Sequence, residues 1–223
     1  MIIVHYLEKS RAHRVLWLLE ELGVDYDVRT YRRTKEFRAP ESLKAIHPLG
    51  KSPVVEDDGR VVAESGAIME YLVDRYGGDT LRPPPGMDER LRYTYWMHYA
   101  EGSAMPLLVM KLVFAGLPAR MPFFLRPTAR MISKGVSERL IDPQLADHVA
   151  LWKAELARGG WFAGDAFSAA DIIMSYPVEA GVTRIAQGQD IAVIRKWMEA
   201  IRARPAYRRA VERGGNIYGY SST

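Results

Sequence analysis

Cysteine is absent from this chain of 223 residues. Without a thiol of its own, the protein has no disulfide framework, no cysteine nucleophile and no thiolate zinc ligands. That composition suits a reducing compartment, and a cytoplasmic location is expected. Long apolar runs are missing as well. The most apolar stretch, Met105 to Leu125, is interrupted by Lys111, Arg120 and three prolines, so no integral membrane span is expected. The first residues, Met1-Ile2-Ile3-Val4-His5-Tyr6, lack the charged-then-apolar profile of a secretory leader. Charge of one sign is scarce: the formal net charge is only +4, and bases alternate with acids, as in Arg139, Asp142, Asp147, Lys153 and Glu155. A nucleic-acid binder carries a clustered basic stripe, so no nucleic-acid partner is expected. The five histidines show no metal-ligand spacing, and neither a G-x-S-x-G elbow nor a phosphate-binding glycine loop occurs. No metal is expected.

What is present has a clear order. Ile2 to Tyr6 is a short apolar run without helical spacing and reads as a buried strand. Val15, Leu18, Leu19 and Leu22 follow at helical spacing, with Ser10 as the expected N-cap and Gly23 just past the end. Tyr26 to Tyr31 reads as a second strand, and Pro40 to Ile46 as a short helix. Pro53 to Val55 and Val61 to Ala63 are expected to form a hairpin around the Asp58-Gly59 turn signal. A further helix carries Ile68, Tyr71 and Leu72 on one face and stops at Gly77-Gly78.

Arg82-Pro83-Pro84-Pro85-Gly86 is the clearest linker in the chain. Beyond it the pattern is helical throughout. Tyr93, Trp96, Met97, Ala100, Ala104, Leu107 and Leu108 line one stripe of a long helix in which Pro106 is expected to make a kink. Ser168-Ala169-Ala170-Asp171 has the form of a capping box. The implied organisation is an α/β unit over 1–79, a linker over 80–86 and an all-α unit over 87–223.

Five segments in this order resemble the soluble glutathione transferases, and in particular the fungal and bacterial branch typified by a yeast membrane-associated transferase. They are Ser10-Arg11-Ala12-His13-Arg14-Val15, His47-Pro48-Leu49-Gly50-Lys51-Ser52-Pro53-Val54-Val55, Glu64-Ser65-Gly66-Ala67-Ile68, Phe167-Ser168-Ala169-Ala170-Asp171-Ile172 and Arg204-Pro205-Ala206-Tyr207. The resemblance implies a thioredoxin-like N-terminal domain holding glutathione and an all-α C-terminal bundle receiving a small apolar electrophile. It implies glutathione as co-substrate with no permanently bound cofactor, and a homodimer. The implied activity is conjugation, with glutathione-dependent peroxidase activity as a second possibility; a non-catalytic adaptor that keeps the fold is the alternative.

Glutathione presents two carboxylates, an ammonium, two peptide units and a thiol. The resemblance implies a cis bond between Ser52 and Pro53, turning the Ser52 backbone toward the ligand so that it pairs like an added strand. Glu64 and Ser65 begin a helix, where unpaired N–H groups and the positive dipole end attract a carboxylate. There Ser65 is expected to grip the γ-glutamyl carboxylate and Glu64 to meet the ammonium. Lys51 is the candidate for the glycyl carboxylate, with His47 behind it. The thiol needs a hydroxyl donor, because a free thiol with a pKa of about 8.5 is mostly protonated at neutral pH. Lowering that value by about two units takes roughly 2.7 kcal/mol, within reach of one charge-assisted hydrogen bond and a helix dipole. Two residues compete for this role: Ser10, which aligns with serine-type members, and Tyr6, near the tyrosine of others. The apolar stretch from Met105 to Phe124 is expected mostly to pack the helical core, with some side chains facing the electrophile.

Overall fold

The computed structural model of the chain describes residues 1–8, 10–36, 38–185 and 190–214. Stretches 186–189 and 215–223 of the expected all-α unit therefore lie outside the described residues.

The first part is a mixed sheet with helices on it. Strand β1 (Ile2–Leu7) is followed by α1 (His13–Leu22), β2 (Tyr26–Tyr31) and the short α2 (Glu41–Lys44). Then come β3 (Val54–Asp57), β4 (Arg60–Ala63) and α3 (Ser65–Tyr76). The sheet order is β2-β1-β3-β4. β1 runs parallel to β2, with Val4 opposite Val28, and antiparallel to β3, with Val4 opposite Val55. This is the thioredoxin-like arrangement. A parallel pair needs a crossover, which α1 supplies. The β3–β4 hairpin closes through Asp58 and Gly59, both at positive φ (48° and 81°), the backbone that a two-residue primed turn demands.

Val4, Val15, Leu16, Trp17, Leu18 and Leu19 have no exposed surface. Each such side chain contributes about 1.5–3 kcal/mol of burial, so a charge at Val4 would unseat the sheet from α1 and α3. Helix α1 ends at Gly23, whose φ of 64° gives the left-handed cap expected there. Its start differs from expectation. The helix opens at His13 with Ala12 in the capping position, and Ser10 sits two residues further upstream. Its Oγ accepts the Ala12 N–H at 3.3 Å, so Ser10 supports the turn leading into the helix rather than capping it.

The second part is helical. It comprises α4 (Asp88–Tyr99), α5 (Met105–Arg120), α6 (Arg126–Val136), α7 (Asp142–Gly159), α8 (Ala169–Ile185), α9 (Ala192–Ala203) and α10 (Pro205–Gly214). Helices α4 and α5 join through a wide π turn at Ala100–Ala104. The Met105 N–H bonds to the Ala100 carbonyl, so the disturbance expected at Pro106 falls one turn earlier, as an i to i+5 bond. The expected capping box forms. Asp171 accepts the Ser168 N–H at 3.0 Å and the Ala170 N–H reaches Ser168 Oγ at 3.3 Å. Asp171 is wholly buried and also accepts from the Phe162 N–H and Trp197 Nε1. Burial outweighs these donors and pushes its carboxyl up to about 6.

One expectation for the apolar stretch needs revision. Met105 and Leu108 are buried, but Met110, Leu112, Phe123 and Phe124 are exposed, so core packing does not account for most of it. The continuous helical run Asp88–Arg120 is also long and apolar enough, by length and composition, to cross a membrane. In this fold its first half is occupied otherwise: Tyr93, Trp96 and Met97 are buried in the main core, where α4 packs on α8.

Candidate functional site

A cleft of about 370 Å³ opens between the α/β part and the start of α5. One wall carries Ser10, Arg11, Lys51, Ser52, Glu64 and Ser65; the other carries Met105, Leu108, Val109 and Leu112, with Tyr176 of α8. One wall is polar and the other apolar.

The turn before β3 forms the floor. The peptide bond between Ser52 and Pro53 is cis. Ser52 Oγ donates to the His5 carbonyl at 2.8 Å and accepts the Leu7 N–H at 3.1 Å, which fixes the turn to the end of β1. Its oxygen also lies 3.2 Å from Ser10 Oγ. A serine hydroxyl has one proton. Ser52 spends its proton on His5, so the proton between the two serines belongs to Ser10. Ser10 Oγ meanwhile accepts the Ala12 N–H, which polarises it as a donor. Ser10 therefore lines the cleft with a transferable proton and a fixed oxygen.

Tyr6 is placed differently. It is only 5 % exposed and is not part of the cleft lining. Burial, with a smaller contribution from Tyr176, pushes its hydroxyl above the ordinary tyrosine range. Of the two competing hydroxyls, the fold brings Ser10 to the cleft and keeps Tyr6 in the core.

Helix α3 starts at the cleft. Glu64, in the capping position, has a φ of 72°, an uncommon backbone for a residue with a side chain. It is exposed at the cleft edge, whereas Ser65 is buried in the first turn. Behind Ser65 stands Arg14, with 1 % of its surface exposed. Its guanidinium donates to Ser65 Oγ at 3.4 Å and to the Ile173 carbonyl at 2.7 Å, and lies over the Tyr176 ring. Arg14 and Arg11 both pair with Glu101, which the π turn carries. The Arg14 guanidinium therefore stands directly behind Ser65 at the start of α3. The Ser65 oxygen accepts from Arg14, so its own proton and the α3 N–H groups are available to an anion. Lys51 is exposed on the cleft rim and, among the described residues, has no ion-pair partner. His47 also lines the cleft, with its Nδ1 buried and unbonded.

Comparison with known proteins now bears on this geometry. Residues 1–74 match the family model described as glutathione S-transferase, N-terminal domain. The chain is 35% identical to glutathione S-transferase 3 of Schizosaccharomyces pombe over 213 residues, covering 96% of this chain and 88% of that protein. The chain belongs to the glutathione transferase family. A crystal structure of a glutathione S-transferase from Actinobacillus pleuropneumoniae superposes with a TM-score of 0.78 at 30% identity, covering 100% of this chain and 98% of that one. A theta class transferase from Xanthomonas axonopodis pv. citri, solved with glutathione bound, superposes with a TM-score of 0.71 at 25% identity, covering 94% and 96% of the two chains.

Sequence reasoning missed several members of this transferase's cleft. Arg33, Val109 and Tyr176 line it, and the Arg14–Glu101 pair supports it from behind. Part of that was legible. Arg14 lies four residues before Leu18, and Glu101 four after Met97 and four before Met105, so each charge sits on an otherwise apolar stripe. A charge held there is a buried charge with a partner. Tyr176 carries no such signal, because an aromatic on a core helix reads as packing. Among the described residues, no group of three or more His, Cys, Asp or Glu side chains is arranged to hold a metal ion.

Proposed function

We propose that this transferase binds glutathione along the turn at Ser52–Pro53 and adds the ionised thiol to apolar electrophiles held against α5. The observation that carries the reading is the disposable Ser10 proton at the cleft floor, beside the anion-ready start of α3. In this reading the Ser52 backbone pairs with the cysteinyl unit. Ser65 and the first N–H groups of α3 hold the γ-glutamyl carboxylate, Glu64 meets the ammonium, and Lys51, with His47 beside it, meets the glycyl carboxylate. Ser10 then turns its proton from Ser52 to the sulfur. A hydrogen bond to a charged partner is worth about 1.5–3 kcal/mol, which favours the thiolate by one to two pKa units.

The thiolate attacks the electrophilic carbon and the leaving group departs with its electron pair; the thiol proton goes to solvent. Organic hydroperoxides are a second class of acceptor. Attack on the outer peroxide oxygen releases an alcohol, and the oxidised glutathione sulfur is then resolved by a second glutathione. The chain has no cysteine to do this, so glutathione disulfide is the product. The same reading takes 1–79 as the glutathione domain, 80–86 as linker and 87–223 as the electrophile domain, in a cytoplasmic homodimer without a membrane-spanning segment. The test is calorimetric binding of millimolar glutathione together with turnover of an activated aryl halide. Binding with turnover supports the reading. No detectable binding favours an adaptor that has kept the fold alone.

A further inference from the structure

Helix α8 carries a proline in its interior, Pro177, and the chain stays helical on both sides of it from Ala169 to Ile185. Proline has no N–H to give to the carbonyl four residues back, and its ring crowds that carbonyl away from the helix axis. The carbonyl concerned belongs to Ile173, which has no exposed surface. A buried carbonyl without its helical donor needs another one. Arg14 supplies it. Its Nη1 donates to the Ile173 oxygen at 2.7 Å, while Nη2 meets Ser65 Oγ at 3.4 Å and pairs with Glu101. The ring of Tyr176, the residue before the proline, has its centroid 5.7 Å from the guanidinium carbon, within reach of a cation–π contact. Helix α8 thus holds a side chain of α1 from two directions, across the junction of the helical and α/β parts.

These contacts differ in strength. The pair with Glu101 is ionic and the bond to Ile173 is short, whereas the Ser65 contact lies near the outer limit of a hydrogen bond. A small rotation of the guanidinium about its pairing with Glu101 breaks the Ser65 contact first. The Ile173 oxygen opposes that rotation; Nε does not, since it has no hydrogen-bond partner among the described residues. While Arg14 donates into the Ser65 oxygen, the Ser65 proton is left to the cleft. Without that donor the hydroxyl is free to turn away. We propose that Pro177 is a positioning residue for glutathione: by leaving the Ile173 oxygen to Arg14, it fixes the guanidinium that aims the Ser65 hydroxyl at the γ-glutamyl carboxylate. Proline is the residue least favoured in a helix interior, so α8 is built against its own local preference where it meets the site. The inference rests on the reading of Ser65 as the holder of that carboxylate.

The experiment is steady-state kinetics with glutathione and an activated aryl halide on the wild type, Pro177→Ala, Ser65→Ala and the double variant, with urea unfolding of each. Alanine restores the N–H at position 177, which recaptures the Ile173 oxygen. In Pro177→Ala, KM for glutathione should rise about three- to tenfold, roughly the loss of one hydrogen bond. Both kcat and KM for the aryl halide should stay within about twofold of the wild type, and the urea midpoint should not fall. In the Ser65→Ala background the same substitution should change KM for glutathione by less than about twofold, because the group through which it acts is gone. Arg14→Lys carries the test without altering α8: lysine keeps the charge toward Glu101 but does not span Ile173 and Ser65 together, and KM for glutathione should rise by a similar factor. An unchanged KM in either Pro177→Ala or Arg14→Lys overturns the proposal, whatever happens to stability. An equal rise from Pro177→Ala in both backgrounds also overturns it, since the whole cleft is then distorted. If the wild type does not bind glutathione by calorimetry, the reading of the cleft falls and this inference with it; binding with an unchanged KM in Pro177→Ala overturns the inference alone.

Discussion

The Ser10 and Ser52 side-chain oxygens lie 3.2 Å apart, joining the approach to α1 with the turn that precedes β3. Ser52 gives its only proton to the His5 carbonyl, so Ser10 is the donor of the pair. A sulfur entering at this turn replaces Ser52 as the acceptor without any backbone movement. In Ser10→Ala, kcat/KM for aryl-halide conjugation should fall about 10- to 150-fold, the equivalent of 1.5–3 kcal/mol. Tyr6→Phe should stay within about threefold of the wild type. Steady-state kinetics on both variants decides it; the reverse order would move the role to Tyr6.

Ser65→Ala removes a donor from the start of α3 but leaves the sulfur side intact. KM for glutathione should rise about tenfold, the loss of one hydrogen bond to a charged group, with kcat little changed. Such a split identifies uniform binding of ground and transition states. A fall in kcat at constant KM would place Ser65 with the reacting atoms instead.

Most of the fold was legible because each element satisfies several local rules at once. Val15, Leu18, Leu19 and Leu22 have helical spacing, Gly23 stops the helix, and Asp58-Gly59 closes the hairpin. Of the candidate site, the family resemblance marked Ser52, Pro53, Glu64 and Ser65, and the fold brings all four to one cleft. What escaped depends on tertiary placement. A hydroxyl near a helix start reads as a cap, but the chain turns once more after Ser10 before α1 begins. Exposure along α5 is likewise a matter of which neighbours are present, and Leu112 and Phe123 look like core residues until the hairpin of α5 and α6 is seen standing clear.

Asp171 links the α7–α8 loop to α9 through four hydrogen bonds, accepting from Phe162, Ser168 twice and Trp197. Asp171→Ala leaves these buried donors without partners, each at about 1–3 kcal/mol. Allowing for relaxation, the loss of stability should be about 4 kcal/mol, read from the urea midpoint. A loss under about 1 kcal/mol would mean that water replaces the carboxylate.

His13 is buried with an unbonded Nε2, and burial, helped by the neighbouring Arg14 charge, lowers its pKa to about 3. The unfolded chain takes up the proton near pH 6.5. The neutral ring's contribution is therefore complete above pH 6.5 and is lost as pH falls toward 3, by about 1.4 kcal/mol per unit. His13→Phe keeps the edge contact with Tyr207 and removes this titration. The stability gap between variant and wild type should open in favour of the variant below pH 6.5. Asp171, whose carboxyl is shifted the opposite way, gains on acidification from about pH 6 and cancels in the difference. Parallel curves for the two proteins would exclude His13 as the source.

Ionisation of the bound thiol by Ser10 is most directly tested by titrating thiolate absorbance near the ultraviolet edge with glutathione saturating the protein. The expected pKa is about two units below the free value of about 8.5, returning to within about half a unit of it in Ser10→Ala. A bound thiol that titrates like free glutathione in the wild type, or a lowered pKa that survives Ser10→Ala, would contradict it.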